Sequence, residues 1–151
     1  MKVSAWMGSV TVALAACGSA ALPAPQIIAV GQGFVLAMGE SVRIDARPGQ
    51  ALELGFERVV SDSRCPRGEQ CVHAGQARVR VWLQQPGLAR QPLELVHRPG
   101  AQAQAVPWPG QNLEILLLDL RPAPAAGAPV APTVYEASLA VREASASTAL
   151  E

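Results

Sequence analysis

The residues with chemical potential crowd into one short stretch. Asp62, Cys65, Cys71 and His73 lie within twelve positions, in Asp62-Ser63-Arg64-Cys65-Pro66-Arg67-Gly68-Glu69-Gln70-Cys71-Val72-His73-Ala74-Gly75. Two chemistries suit these types. A pair of cysteines outside the cytoplasm forms a disulfide. Closing so short a loop stabilises a fold by roughly 2–3 kcal/mol in the chain-entropy model. Alternatively, thiolates, an imidazole and a carboxylate make a soft-to-borderline metal site, for copper or zinc, to which Met38 adds a thioether. The six-residue cysteine spacing is not that of a zinc pair, and only His73 is near, so the disulfide is the simpler reading. A redox-active pair takes the form Cys-x-x-Cys on a helix N-terminus, which this stretch lacks. Asp62 and Ser63 are suited to bonding nearby backbone amides.

Which compartment holds these thiols is read from a third cysteine. Lys2 is the only charge before Glu40, and an apolar run from Val3 ends in Leu14-Ala15-Ala16-Cys17. A basic start, an apolar centre and small residues before the cut make a secretory signal. A cysteine at the cut makes it a lipobox, with Cys17 the lipidated N-terminus. The run is too short and too interrupted by Ser4, Gly8, Ser9 and Thr11 for a comfortable span, which takes about 20 residues. Diacylglycerol on the sulfur plus an acylated amine supplies the several chains that stable anchoring needs. Gly18, not aspartate, follows the cysteine. By resemblance to lipoprotein sorting patterns, this favours the outer membrane, facing the periplasm.

The elements that must position the Asp62–His73 stretch are β-strands. Leu52, Leu54 and Phe56 alternate with Glu53, Gly55 and Glu57 before it. After it, Ala77, Val79, Val81 and Leu83 alternate with Arg78, Arg80 and Trp82. Period-two alternation marks half-buried strands, and the stretch is the loop between them. Further short strands are expected at 26–30, 34–38, 41–46, 93–97, 113–120 and 133–142. Turn signals such as Arg47-Pro48-Gly49-Gln50, Pro86-Gly87 and Pro99-Gly100 separate them. The segment 101–110 reads as irregular, and 122–132 as a long loop. Some seven to eight short strands with one apolar face each predict an all-β fold, an antiparallel β-sandwich or a small barrel. The domain plan is a signal peptide at 1–16, a lipidated tether at 17–26, the β domain at 27–143 and a flexible tail at 144–151.

Removing the signal leaves about 135 residues, enough for one domain with a real core. Twelve basic residues balance twelve acidic ones, so the electrostatic footprint of a nucleic-acid binder is missing. The reading calls for no cofactor, and no catalytic elbow of the Gly-x-Ser-x-Gly type occurs. His97, at a strand end, reads as solvated. Glu53 and Glu57 read as solvated or paired with Arg78 and Arg80 across strands. Trp82, on the polar face of its strand with Arg78 and Arg80, is the candidate contact for a partner, because tryptophan is enriched where proteins meet.

The residues Asp62-Ser63-Arg64-Cys65-Pro66, then Cys71, then Ala74-Gly75 leading into a strand, resemble a motif of uncharacterised bacterial secreted proteins and lipoproteins. The match covers about one tenth of the chain. Those proteins often carry tryptophan where His73 stands here, a departure that removes an aromatic plug and exposes an imidazole. The resemblance implies an extracytoplasmic location, a disulfide and β architecture. The expectation is a lipid-anchored envelope protein that is a binding or structural module rather than an enzyme. It would meet the membrane through its lipid and act on an envelope partner protein. The alternative is periplasmic metal handling through Asp62, Cys65, Cys71 and His73.

Overall fold

In a computed structural model, residues 26–127, 130–131 and 134–145 are described. The signal peptide at 1–16, Cys17, the tether up to residue 25 and most of the expected tail fall outside them. Nine strands form the domain: β1 Ile27–Ala29, β2 Gly33–Ala37, β3 Ser41–Arg47, β4 Gln50–Asp62, β5 Ala77–Gln84, β6 Gln91–His97, β7 Ala105–Pro107, β8 Leu113–Arg121 and β9 Glu136–Glu143. Sheet A has the order β1-β3-β4-β5-β6 and sheet B the order β2-β9-β8-β7. The sheets stay separate, so the fold is a sandwich and not a closed barrel.

Each sheet buries the face that its alternation predicts. Val42, Ile44, Leu52, Leu54, Phe56, Val79, Val81 and Leu83 from sheet A meet Phe34, Leu36, Ile115, Leu117, Leu139 and Val141 from sheet B. Removing an aliphatic or phenyl side chain of this kind from water is worth about 1.5–3 kcal/mol. These facing rows are therefore what holds the sheets together.

Three features depart from the sequence reading. β1 pairs with β3 in parallel, Ile28 opposite Ile44. The intervening β2 crosses to sheet B, so the chain returns to sheet A running the same way. β7 lies inside the segment expected to be irregular and pairs with β8 through Ala105, Val106 and Pro107. Its Pro107 is tolerated because β7 is an edge strand. Finally, β4 shifts register against β5 between Phe56 and Arg58, and again between Val59 and Ser61. Each shift is a bulge that re-aims the side chains after it.

Candidate functional site

The loop between β4 and β5 is built around a buried ion pair. Asp62, the last residue of β4, accepts hydrogen bonds on Oδ1 from the Arg64 backbone amide (3.2 Å) and from Arg64 Nε (2.8 Å). Its Oδ2 accepts from Arg64 Nη2 at 2.6 Å and from the Tyr135 hydroxyl at 3.2 Å. Arg64 has a side chain only 4 % exposed. It also donates to the carbonyls of Leu120 and Pro122, the latter at 2.8 Å. Leu120 belongs to β8 and Tyr135 directly precedes β9, so the pair on sheet A is fastened to sheet B. Burial pushes the Asp62 carboxyl up, but the Arg64 hydrogen bonds and charge, with Tyr135, outweigh it and hold the group below its usual range. Burial, together with the Asp62 carboxylate, pushes the Tyr135 hydroxyl up.

Beyond this pair the loop folds back on itself. Ser63 N donates to Gln76 O and Cys65 N to Ala74 O, each at 2.9 Å. The Ser63 hydroxyl donates to Gln76 O at 3.0 Å and accepts from Gln76 N at 3.2 Å. Gly75 sits where the two arms come closest. Its φ is +70°, and a Cβ there would collide with the Ser63 carbonyl oxygen. Only glycine meets both demands. Cys65 and Cys71 are joined by a disulfide, with their Cα atoms 5.9 Å apart.

The four candidate metal donors are thus not brought together as ligands. Both thiols are spent on each other, the Asp62 carboxylate is occupied by Arg64 and Tyr135, and His73 is exposed. Among the described residues, no group of three or more His, Cys, Asp or Glu stands where it could hold a metal. Met38 packs against the core.

His97 is not the solvated residue that its neighbours Arg98 and Pro99 suggest. It ends β6, only 14 % of its side chain is exposed, and Nε2 lies 3.8 Å from Asp119 Oδ1 on β8. Burial lowers its pKa, more than the Asp119 carboxylate restores. The imidazole lines a depression of about 230 Å³ shared with Arg64, Arg67, Asp119 and Arg121.

The outer face of sheet A carries the second candidate site. Alternation on β5 sends Arg78, Arg80 and Trp82 outward together, as expected. The Trp82 ring lies flat over Gly55, its cross-strand partner, where a Cβ would collide with the indole. Above the ring sits the Arg90 guanidinium, 3.7 Å from its centroid, a cation–π stack. Arg90 Nε donates to Gln84 Oε1 at 3.2 Å, and Arg80 Nη2 to Glu94 Oε1 at 2.8 Å. A depression of about 480 Å³ opens between Glu57, Arg80, Trp82, Arg90 and Pro92. Of the two readings for Glu53 and Glu57, solvated or paired with Arg78 and Arg80, the pairing is the one that changes: both carboxylates are partly exposed, with Glu53 3.9 Å from Arg43 and Glu57 3.6 Å from Arg58. Register decides this, because Arg43 is the cross-strand partner of Glu53 and Glu94 that of Arg80.

Arg90 had no signal of its own in the sequence. The Pro86-Gly87 turn was the clue available, since a hairpin that sets Gln91 against Leu83 returns Arg90 beside Gln84. Arg64 likewise carries no signal of its own, because the Leu120 and Pro122 carbonyls that receive it come from far along the chain.

No known family model matches the chain, and comparison with curated proteins and with solved structures finds no match.

Proposed function

We propose that the chain is a lipid-anchored protein of the bacterial envelope that acts as a non-catalytic binding or structural module, held to the outer membrane through Cys17 and working in the periplasm on an envelope partner. The observation that carries the reading is how the fold uses its reactive groups. Asp62, Arg64, Cys65, Cys71 and Tyr135 are consumed in fastening one loop and two sheets. The outer face of sheet A instead leaves hydrogen-bond donors of Arg78, Arg80 and Arg90 without partners among the described residues, beside the aromatic Trp82. A module that binds needs such a face and no nucleophile.

The anchor is supported by the run Leu14-Ala15-Ala16-Cys17, and the motif resemblance to secreted proteins and lipoproteins points the same way. The test is intact mass and membrane partition of the full chain produced in a bacterial envelope. The expected result is an acylated Cys17 at the N-terminus and release from the membrane in Cys17→Ala. An unprocessed N-terminus, or a Cys17→Ala chain that stays in the membrane, overturns the anchor. Substrate turnover abolished by substitution of a named side chain overturns the non-catalytic role.

A further inference from the structure

The depression on sheet A has a composition that selects among ligands. Arg80 and Arg90 both line it, and each guanidinium carries five N–H donors. The bonds to Glu94 and Gln84 use only part of them. Planar guanidinium groups of this kind grip a carboxylate or phosphate with paired hydrogen bonds. Pro92 and the edge of Trp82, whose two faces are covered by Gly55 and Arg90, add apolar surface that a bare inorganic anion would leave unused. Glu57 lines the same space, and Glu94 is held at its edge by Arg80. These carboxylates accept hydrogen bonds from hydroxyl groups and repel a second negative charge, which disfavours polyanions.

The backbone gathers further arginines beside the depression. The bulge at Glu57 sets Arg58 directly opposite Arg80 in the β4–β5 ladder, with Arg78 two positions along. Like charges placed opposite each other destabilise a sheet; here Glu57 beside Arg58 and Glu94 beside Arg80 offset them. The volume of about 480 Å³ is that of a small-ligand site.

We propose that this depression binds one unit of an acidic sugar, a ring bearing a carboxylate or a phosphate beside hydroxyl groups, with Arg80 and Arg90 on the anion, Glu57 on a hydroxyl and the ring against Pro92 and the edge of Trp82. The proposal rests on the reading of the chain as a binding module and names what that module takes.

The experiment is a titration of the full-length protein, followed by the NMR signal of the Trp82 indole N–H, with that of buried Trp108 as the internal control. Four probes are compared: glucuronic acid, glucose 1-phosphate, glucose and inorganic phosphate. The expected result is saturable movement of the Trp82 signal with at least one acidic sugar, an unmoved Trp108 signal, and affinity at least about tenfold weaker for glucose and for phosphate. Arg90→Ala and Arg80→Gln, with Trp108 unchanged, each weaken the acidic sugar by about tenfold. The arm that saturates identifies the anion as carboxylate or phosphate. Equal binding of glucose, binding of phosphate alone, no saturation by either acidic sugar, or full affinity in Arg90→Ala overturns the proposal. Those failures leave the Cys17 result untouched, so the anchor and the ligand stand or fall separately.

Discussion

The Tyr135 hydroxyl donates to the Asp62 carboxylate across the sandwich, 3.2 Å from the strand β9 side to the end of β4. Together with Arg64 it closes one end of the core. The opposite ends of the same strands are tied by neutral groups. Gln85 Nε2 donates to Pro109 O at 2.9 Å, Gln111 Nε2 to Gln85 Oε1 at 2.9 Å, and Gln50 Nε2 to Gln111 Oε1 at 3.4 Å. A charged clamp at one end and an amide relay at the other hold the two sheets in register.

Removing Arg64 leaves the Asp62 carboxylate buried and unpaired. Arg64→Met is therefore expected to cost about 3–5 kcal/mol, the usual penalty for breaking a buried pair from one side. Urea denaturation measures it. Asp62→Asn combined with Arg64→Met is expected to recover part of the loss, because the stranded charge is gone; a double variant as unstable as the sum of the singles refutes the coupling.

The disulfide is expected to staple rather than to nucleate. In Cys65→Ser with Cys71→Ser the loop keeps Ser63–Gln76 and Cys65–Ala74 backbone pairing and the Asp62–Arg64 pair. The loss is then about 2 kcal/mol, with the sandwich still formed. In the unmodified protein both thiols resist alkylation until reduced. Alkylation without reduction contradicts the linkage and reopens Cys65, Cys71 and His73 to metal.

Three partly buried groups shape the acid response, with Asp119 lowered alongside Asp62 and His97. Asp62 is held below its ordinary pKa in the folded state, so its contribution is complete above the unfolded value of about 4 and disappears as pH falls through the folded value. His97 is also lowered, by burial. For a histidine this means that the unfolded chain takes the proton first, so stability begins to fall below about pH 6.5. Stability measured from pH 8 to pH 3 is expected to drop in two stages. His97→Gln should flatten the upper stage and Asp62→Asn the lower; a wild-type profile in His97→Gln removes His97 from the account.

Gly75→Ala tests the close approach at the loop base. The residue needs a positive φ and a Cβ-free contact with Ser63, so the cost is expected to exceed the roughly 1 kcal/mol of a left-handed alanine alone. A thermal melt indistinguishable from wild type would mean that the two arms separate easily.

Much of the sandwich is legible in the sequence, because alternation in Leu52-Glu53-Leu54 and Val79-Arg80-Val81 is a direct imprint of a two-faced strand. β7 was not legible, since three residues ending in Pro107 carry no period. The bulges at Glu57 and Val60 were not legible either, because register belongs to a pair of strands and not to one. Arg64 and His97 escaped for a related reason. What buries them, Leu120, Pro122 and Asp119, arrives from β8 and the turn after it, far along the chain. The alternation of β5 did suffice to place Arg78, Arg80 and Trp82 on one face, but not to bring Arg90 over the ring.

The parallel pairing of β1 with β3 has a mechanical meaning. Arg43 N donates to Gln26 O, and the ladder continues through Ile27, Ile28 and Ala29. Force delivered along β1 from the N-terminal side runs along the strand, so these bonds share the load in shear instead of opening one after another. The first strand, short as it is, is seated to resist a pull along its own axis.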